Sequence, residues 1–130
     1  MKFGIGTAQF IKGYGYMKAK VDLYKYFDTL NKSNINMIDT AQAYSKAQKV
    51  IGKNLNKQKK IVTKIISLKK VDKTKKLQFF KKNFEKCLLD LNSEKIHGLM
   101  LHDEKDIFQN DNFYNYIDSL KKDKIIKKFG

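Results

Sequence analysis

The chain has 130 residues, and its 28 basic against 13 acidic side chains give a net charge of +15. Its length fits a single domain, and its isoelectric point near 9.8 invites comparison with nucleic-acid-binding proteins. Every basic residue is a lysine, however, whereas base recognition relies on the bidentate guanidinium group of arginine. The composition therefore argues against specific binding to nucleic acid, and a basic nucleic-acid-binding protein is the least favoured of the alternatives.

The cysteine content and the apolar segments indicate the cellular compartment of the protein. A single cysteine, Cys87, excludes an internal disulfide and fits a reducing compartment. It lies among apolar residues at helical spacing, so we expect a buried hydrophobic residue and not a nucleophile. No segment resembles a signal peptide or a membrane span. We therefore expect a cytoplasmic protein with no membrane partner.

Short apolar runs alternate with longer amphipathic segments along the whole chain. The apolar runs predict strands over residues 3–7, 34–38, 59–65, 96–101 and 124–129. The amphipathic segments predict helices over residues 20–31, with Asp22 in the first turn, and over residues 44–55, 74–91 and 112–122. A loop with Gly13 and Gly15 follows the first strand. This alternation indicates βαβ units and a parallel sheet, which we expect to form one unfinished domain over residues 1–130.

Three of the apolar runs end on a polar residue that can take part in chemistry. These residues are Asp39, Lys64 and His102, and Tyr44 follows five residues after the first of them. In (β/α) barrels the carboxyl ends of successive strands meet on one face, where active sites are found. Taken singly, each residue is explained as well by a structural role, but their order and their shared position at strand ends predict an active site.

The same segments resemble the aldo-keto reductase family. The stretch Ile38–Tyr44 resembles the family signature Asp-Thr-Ala-x-x-Tyr, and Ile61–Lys64 is similar to its Val-Thr-Lys strand end. Leu99–Asp103 resembles the Leu-Leu-His strand end, and Phe3–Phe10 resembles the first strand and its loop. Five residues depart from the family pattern: Ser45, Ala47 and Gln48 after the signature, His97 early in the fourth strand, and Asp123 before the fifth strand.

The resemblance implies a fold and an activity. It implies an α/β fold, the N-terminal half of a (β/α)8 TIM barrel, with four βα units and the start of strand five. Because such a barrel takes about 250 residues, we expect the chain to be a truncated piece of a larger enzyme. The implied activity is reduction of a small-molecule aldehyde or ketone with NADPH or NADH. In the family, loops after strands seven and eight grip most of the cofactor, so we expect the chain alone to be inactive.

The residues and the resemblance together suggest a role for each site residue. Tyr44 is the candidate general acid, and because a phenol in water ionises only near pH 10, it needs help to act near neutrality. Lys64 would supply that help as a nearby ammonium, and Asp39 would orient Lys64. His102 would donate a hydrogen bond to the carbonyl oxygen of the substrate.

Cofactor contacts are the least specific part of this interpretation. Gly4-Ile5-Gly6 is not a dinucleotide fingerprint, because the third glycine is missing. The family resemblance instead implies that Gly6, Thr7 and Asp39 lie near the nicotinamide. No group of residues has the spacing of metal ligands, and we expect no metal.

A third function class stays open beside the enzyme and the nucleic-acid-binding protein. An open half barrel leaves unpaired strand edges, which invite self-association. The chain would then serve as a non-catalytic regulatory or scaffold subunit. His97, at the start of its strand, is expected to have only a structural role.

Overall fold

The computed structural model describes residues 3–10, 22–44, 46–106 and 111–130, without the side chain of Phe10. The predicted loop with Gly13 and Gly15 and the first residues of the predicted first helix lie outside these ranges. The strands are β1 (Gly4–Gly6), β2 (Met37–Asp39), β3 (Lys60–Ile65), β4 (Ile96–Leu101) and β5 (Ile126–Phe129). The α-helices are α1 (Leu23–Lys32), α2 (Ala47–Asn54), α3 (Lys76–Asp90) and α4 (Asp111–Lys122).

Local hydrogen bonds explain why two helices begin later than the sequence predicts. Asp22 does not lie in the first turn of α1, because it is the N-cap and its carboxylate accepts a hydrogen bond from the backbone N–H of Lys25. Before α2, the N–H of Tyr44 donates to the carbonyl of Ala41, and the N–H of Ala47 donates to that of Tyr44, each at 3.0 Å. Tyr44 therefore lies in a turn between β2 and α2.

The five strands form one sheet in the order β1-β2-β3-β4-β5, and every neighbouring pair is parallel. Because each strand lies beside the one that precedes it in the chain, successive βα units advance in one direction, as they do around a barrel. The prediction of an α/β fold that matches the N-terminal half of a (β/α)8 barrel is thus confirmed.

The two faces of the sheet differ in burial, as the pleat requires. Ile38, Thr63 and Leu99 are fully buried under the helices. Val62, Lys64 and Met100 have the opposite parity and remain accessible in part, and strand pairing sets Lys64 beside Met100 on this open face. Asp39 is on the same face, since it pairs with Val62, two residues before Lys64.

The helix-covered face is closed by aromatic packing and by one close helix contact. The rings of Phe80 and Phe113 meet edge to face with 5.1 Å between centroids, which joins α3 to α4. At Gly52, a Cβ atom would lie 2.4 Å from the carbonyl oxygen of Asp90, so only glycine lets α2 approach the end of α3 this closely. Within the part of the chain that the structure describes, no helix is long and apolar enough to cross a membrane.

Candidate active site

Asp39 and Lys64 form an ion pair at the carboxyl ends of β2 and β3. The Lys64 ammonium donates to both oxygens of the Asp39 carboxylate, at 2.6 and 2.7 Å. The Lys64 side chain is 19% exposed and that of Asp39 is 44% exposed, so the pair is shielded only in part from water. The strand register places both side chains on the open face of the sheet. Because the pair is partly buried there, water screens the attraction between the two charges only in part.

Tyr44 lies beside this pair. The turn after β2 returns the chain so that the Lys64 ammonium lies 5.7 Å from the centroid of the Tyr44 ring. A cation at this distance over a ring is attracted by the negative face of the aromatic system. The structure thus brings together three of the four residues that the sequence singles out, with Lys64 between the carboxylate and the phenol.

His102 lies at the same end of the sheet. It follows the last residue of β4, and the preceding pairs join Lys64 to Met100 and Ile65 to Leu101. His102 is exposed to solvent. Its position one residue beyond β4 places it at the carboxyl end of the sheet, where Asp39 and Lys64 also lie.

The residues expected near the cofactor sit where β1 meets β2. Gly6 pairs with Asp39, and both the N–H and the hydroxyl of Thr7 donate to the Asp39 carbonyl, at 3.0 and 3.1 Å. Thr7 is fully buried, so its hydroxyl serves to hold Asp39. In contrast, a Cβ built on Gly6 would meet no described atom within 4 Å, which leaves open space beside Asp39.

Gln42 connects the signature segment to β3 and α3. Its backbone N–H donates to the carbonyl of Lys64 at 3.0 Å, and its side-chain oxygen accepts from the N–H of Ile66 at 3.1 Å. Its side-chain amide donates to Oδ1 of Asn83 at 2.7 Å. These three bonds fix the end of β3 against the turn that carries Tyr44.

A second buried polar contact lies behind the site. Gln48 is 2% exposed, and its amide donates to the Thr63 hydroxyl at 2.7 Å and to the Cys87 sulfur at 3.3 Å. Burial raises the pKa of the Cys87 thiol to about 11, although the Gln48 amide and Lys86 oppose this and Asp90 adds to it. The cysteine is therefore a neutral packing residue, and the Gln48 amide ties α2 to β3 immediately before Lys64.

Sequence reasoning missed the roles of Gln42 and Gln48. Gln42 occupies a variable position of the signature, and no spacing rule indicates which way its amide points. In the sequence, Gln48 is marked only as a departure from the family pattern. Its hydrogen-bond partners, Thr63 and Cys87, lie 15 and 39 residues away in the chain. Among the described residues, no group of three or more His, Cys, Asp or Glu side chains could hold a metal ion.

The sequence model of the aldo/keto reductase family matches residues 2–130 of this chain. The chain belongs to the aldo/keto reductase family. The resemblance expected from the signature and the strand ends is thus confirmed. A comparison with curated proteins gave no match.

Solved structures of aldo-keto reductases share the fold. One from Pseudomonas aeruginosa, named as an aldo-keto reductase of unproven activity, is 26% identical, with a TM-score of 0.73 over 98% of this chain and 53% of its own. The holo form of an aldo-keto reductase from Bacillus halodurans is 18% identical, with a TM-score of 0.68 over 99% of this chain and 45% of its own. An aldo/keto reductase from Brucella melitensis is 18% identical, with a TM-score of 0.64 over 98% and 47%.

This chain therefore spans about half the length of the solved structures that it matches. The half that it matches is the N-terminal half of the barrel, to which the five described strands correspond.

Proposed function

We propose that the chain supplies the acid–base residues of a reductase that converts an aldehyde or ketone to an alcohol. The observation that carries this proposal is the Lys64 ammonium, which bonds the Asp39 carboxylate at 2.6 Å and lies over the Tyr44 ring. Membership of the aldo/keto reductase family supports the same reaction class.

The proposed chemistry assigns one task to each side chain. Tyr44 gives the proton of its hydroxyl group to the carbonyl oxygen of the substrate as negative charge develops there. The Lys64 ammonium stabilises the phenolate that remains, and Asp39 keeps that ammonium in place. His102 donates a hydrogen bond to the same substrate oxygen and orients it.

The open space at Gly6 fits a planar ring held beside Asp39. A nicotinamide, as NADPH or NADH, supplies the hydride when it is bound there. On the protein side, the absence of a Cβ at Gly6 lets a flat group approach the backbone. The Asp39 carboxylate and Lys64 ammonium border that space and are neutralised by each other.

The matched structures are about twice as long, so we propose that the 130-residue chain does not catalyse turnover alone. The test is a chimera in which residues 1–130 replace the matching half of the Pseudomonas aeruginosa structure. NADPH oxidation with an aromatic aldehyde is followed by absorbance. We expect Tyr44→Phe to lower the rate about 100-fold or more, in the range of a lost general acid.

Tyr24→Phe is the matched control, because Tyr24 is 82% exposed on α1, and it should leave the rate unchanged. Retention of activity in a folded Tyr44→Phe chimera would remove Tyr44 from the mechanism. NADPH oxidation by the 130-residue chain itself, sensitive to Tyr44→Phe, would show that the second half is dispensable.

Self-association is a second proposal about the same chain. Among the described strands, β1 and β5 each have one neighbour, so each offers an unpaired edge. The net charge of +15 opposes close contact between copies. Sedimentation at low and high salt tests the point, since dimers that appear only when charge is screened would support edge pairing.

The cytoplasmic location expected from the single cysteine stays a prediction.

A further inference from the structure

A group of lysines lies at the end of the sheet opposite the candidate active site. A cleft of about 1190 Å³ lies between the turns that lead into β3, β4 and β5, at the amino ends of these strands. Seven lysines and two glutamates line it. The lysines come from separate turns, which the parallel order of the strands collects at one end of the sheet.

Two of these turns have unusual backbone conformations. Lys124 has φ of 58° and Asn92 has φ of 47°, and both residues line the cleft. The left-handed region costs a side-chain-bearing residue about 1–2 kcal/mol, less for asparagine, whereas glycine adopts it freely. At position 124 the chain keeps a lysine in this conformation, and its ammonium is one of those around the cleft.

A second lysine of the cleft is fixed in place. The Lys59 ammonium donates to the carbonyl oxygens of Ser33 and Ile35, at 2.8 and 2.6 Å. These bonds hold its charge at the wall of the cleft and leave one N–H for a further acceptor. Neither partner is a carboxylate, so these two bonds leave the positive charge of Lys59 in place.

The pKa of His97, which also lines the cleft, responds to the positive charge of nearby lysines. Its pKa is lowered, first by partial burial and then by repulsion from Lys60, Lys127 and Lys128. Carboxylates accompany the lysines at the opposite end of the sheet, where Asp103, Glu104 and Asp106 follow β4 and surround Lys105. Seven lysines against two glutamates therefore give the cleft a net positive charge of its own.

The lining also indicates which part of an anion would be recognised. Among the described residues, none that lines it is a Phe, Tyr or Trp on which a base could stack, and the chain has no arginine for bidentate contacts to bases. Ammonium groups act as point charges that bind phosphate oxygens. We propose that the cleft binds a flexible phosphate polyanion through its phosphate groups, independently of the reductase chemistry.

The test compares two triple variants with the same net charge. Lys60→Gln, Lys124→Gln and Lys127→Gln together remove three lysines of the cleft. Lys69→Gln, Lys70→Gln and Lys73→Gln together remove three exposed lysines that lie outside it. The probes are a fluorescent (dT)12 oligonucleotide and inorganic polyphosphate of similar charge. They distinguish a nucleic-acid backbone from an inorganic phosphate chain as the ligand.

At 0.05 M salt we expect the cleft variant to bind at least tenfold more weakly and the control variant less than threefold more weakly. The slope of log K against log salt should become shallower by about 2 in the cleft variant alone, because each phosphate neutralised on a single strand contributes about 0.7 to that slope. Binding of polyphosphate without (dT)12 would narrow the ligand to inorganic chains. Equal weakening in both variants would overturn the proposal, because binding would then follow total charge.

The two histidines give a second readout that needs no variant. They are the only two in the chain, with His97 in the cleft and His102 at the opposite end. Polyphosphate in the cleft should shift the NMR signals of the His97 ring and raise its pKa, since the anion offsets the lysines around it. The His102 signals should stay unchanged. Absence of any shift at His97 at saturating polyphosphate would refute the site.

Discussion

Gln42 donates a hydrogen bond of 2.7 Å from its side-chain amide to Oδ1 of Asn83, and so joins the turn after β2 to helix α3. Its side-chain oxygen also accepts from the N–H of Ile66, just beyond β3. One side chain thus holds three elements together at the end of the sheet that carries the candidate site.

Replacement of Gln42 by alanine should destabilise the chain. The variant lacks two side-chain hydrogen bonds and leaves the Asn83 oxygen without this donor, so we expect about 1–3 kcal/mol less free energy of unfolding in urea. Gln78→Ala is the matched control, because Gln78 is exposed on α3, and it should change stability by less than about 0.5 kcal/mol. Equal stability of the two variants would show that the Gln42 bonds contribute nothing net.

Gly52→Ala should be more damaging than its small size suggests. The added Cβ would meet backbone atoms of Asp90 and Leu91 at 2.4–2.8 Å, so α2 must move away from α3. We expect a decrease of about 1–3 kcal/mol in the free energy of unfolding, despite the higher helix propensity of alanine. Gly6→Ala is the control, since a Cβ there meets nothing within 4 Å, and its unfolding midpoint should stay near that of the original chain.

The Asp39–Lys64 pair should couple more strongly than an exposed ion pair. A double-mutant cycle with Asp39→Asn and Lys64→Gln should give a coupling free energy of about 1 kcal/mol, since Lys64 is 19% exposed. The same cycle at Asp28 and Lys32, which are 49% and 74% exposed, should give a smaller coupling, because water screens this exposed pair more fully. A coupling free energy at Asp39–Lys64 no larger than that at Asp28–Lys32 would mean that water fully screens the attraction between Asp39 and Lys64.

Cys87 should be unreactive in the folded chain. Because burial raises the pKa of its thiol to about 11, roughly one molecule in a thousand carries the thiolate at pH 8. Thiol-specific reagents should therefore react at least 100-fold more slowly in buffer than in urea. Rapid modification of the folded chain would show that α3 leaves the sulfur accessible.

The same thiol should make stability depend on pH at the alkaline end. The folded chain keeps the thiol proton up to pH about 11, whereas the unfolded chain releases it near pH 9. The contribution is therefore complete below pH 9 and is lost as the pH rises towards 11, by up to about 2–3 kcal/mol. Cys87→Ala should lack this component, so the difference in stability between the two chains should shrink over that range.

Much of the fold could be predicted from the sequence because local signals agree with the final structure. Apolar runs locate the five described strands, and the prediction for β4 is correct to the residue. The amphipathic pattern begins α2 three residues early, because Tyr44 continues that pattern while its backbone forms a turn. Periodicity reports which residues are apolar, and it does not show that a turn has replaced the first turn of a helix.

The candidate site was less accessible to sequence reasoning. The positions of Asp39, Lys64 and His102 follow from strand ends, which the hydrophobic pattern marks. The partners of Gln42 and Gln48 depend on side-chain directions and on contacts between residues far apart in the chain. The local excess of lysine at the cleft depends on which turns the fold brings together, and composition alone carries no such information.

Asp39 is held on two sides by neighbouring strands. Thr7, after β1, binds its main-chain carbonyl, and Lys64 on β3 binds its carboxylate. None of these bonds involves a long loop, so loops beyond the strand ends can change in length or composition without displacing the cluster. Evolutionary divergence of these loops among related chains can therefore leave the Asp39–Lys64 pair in place.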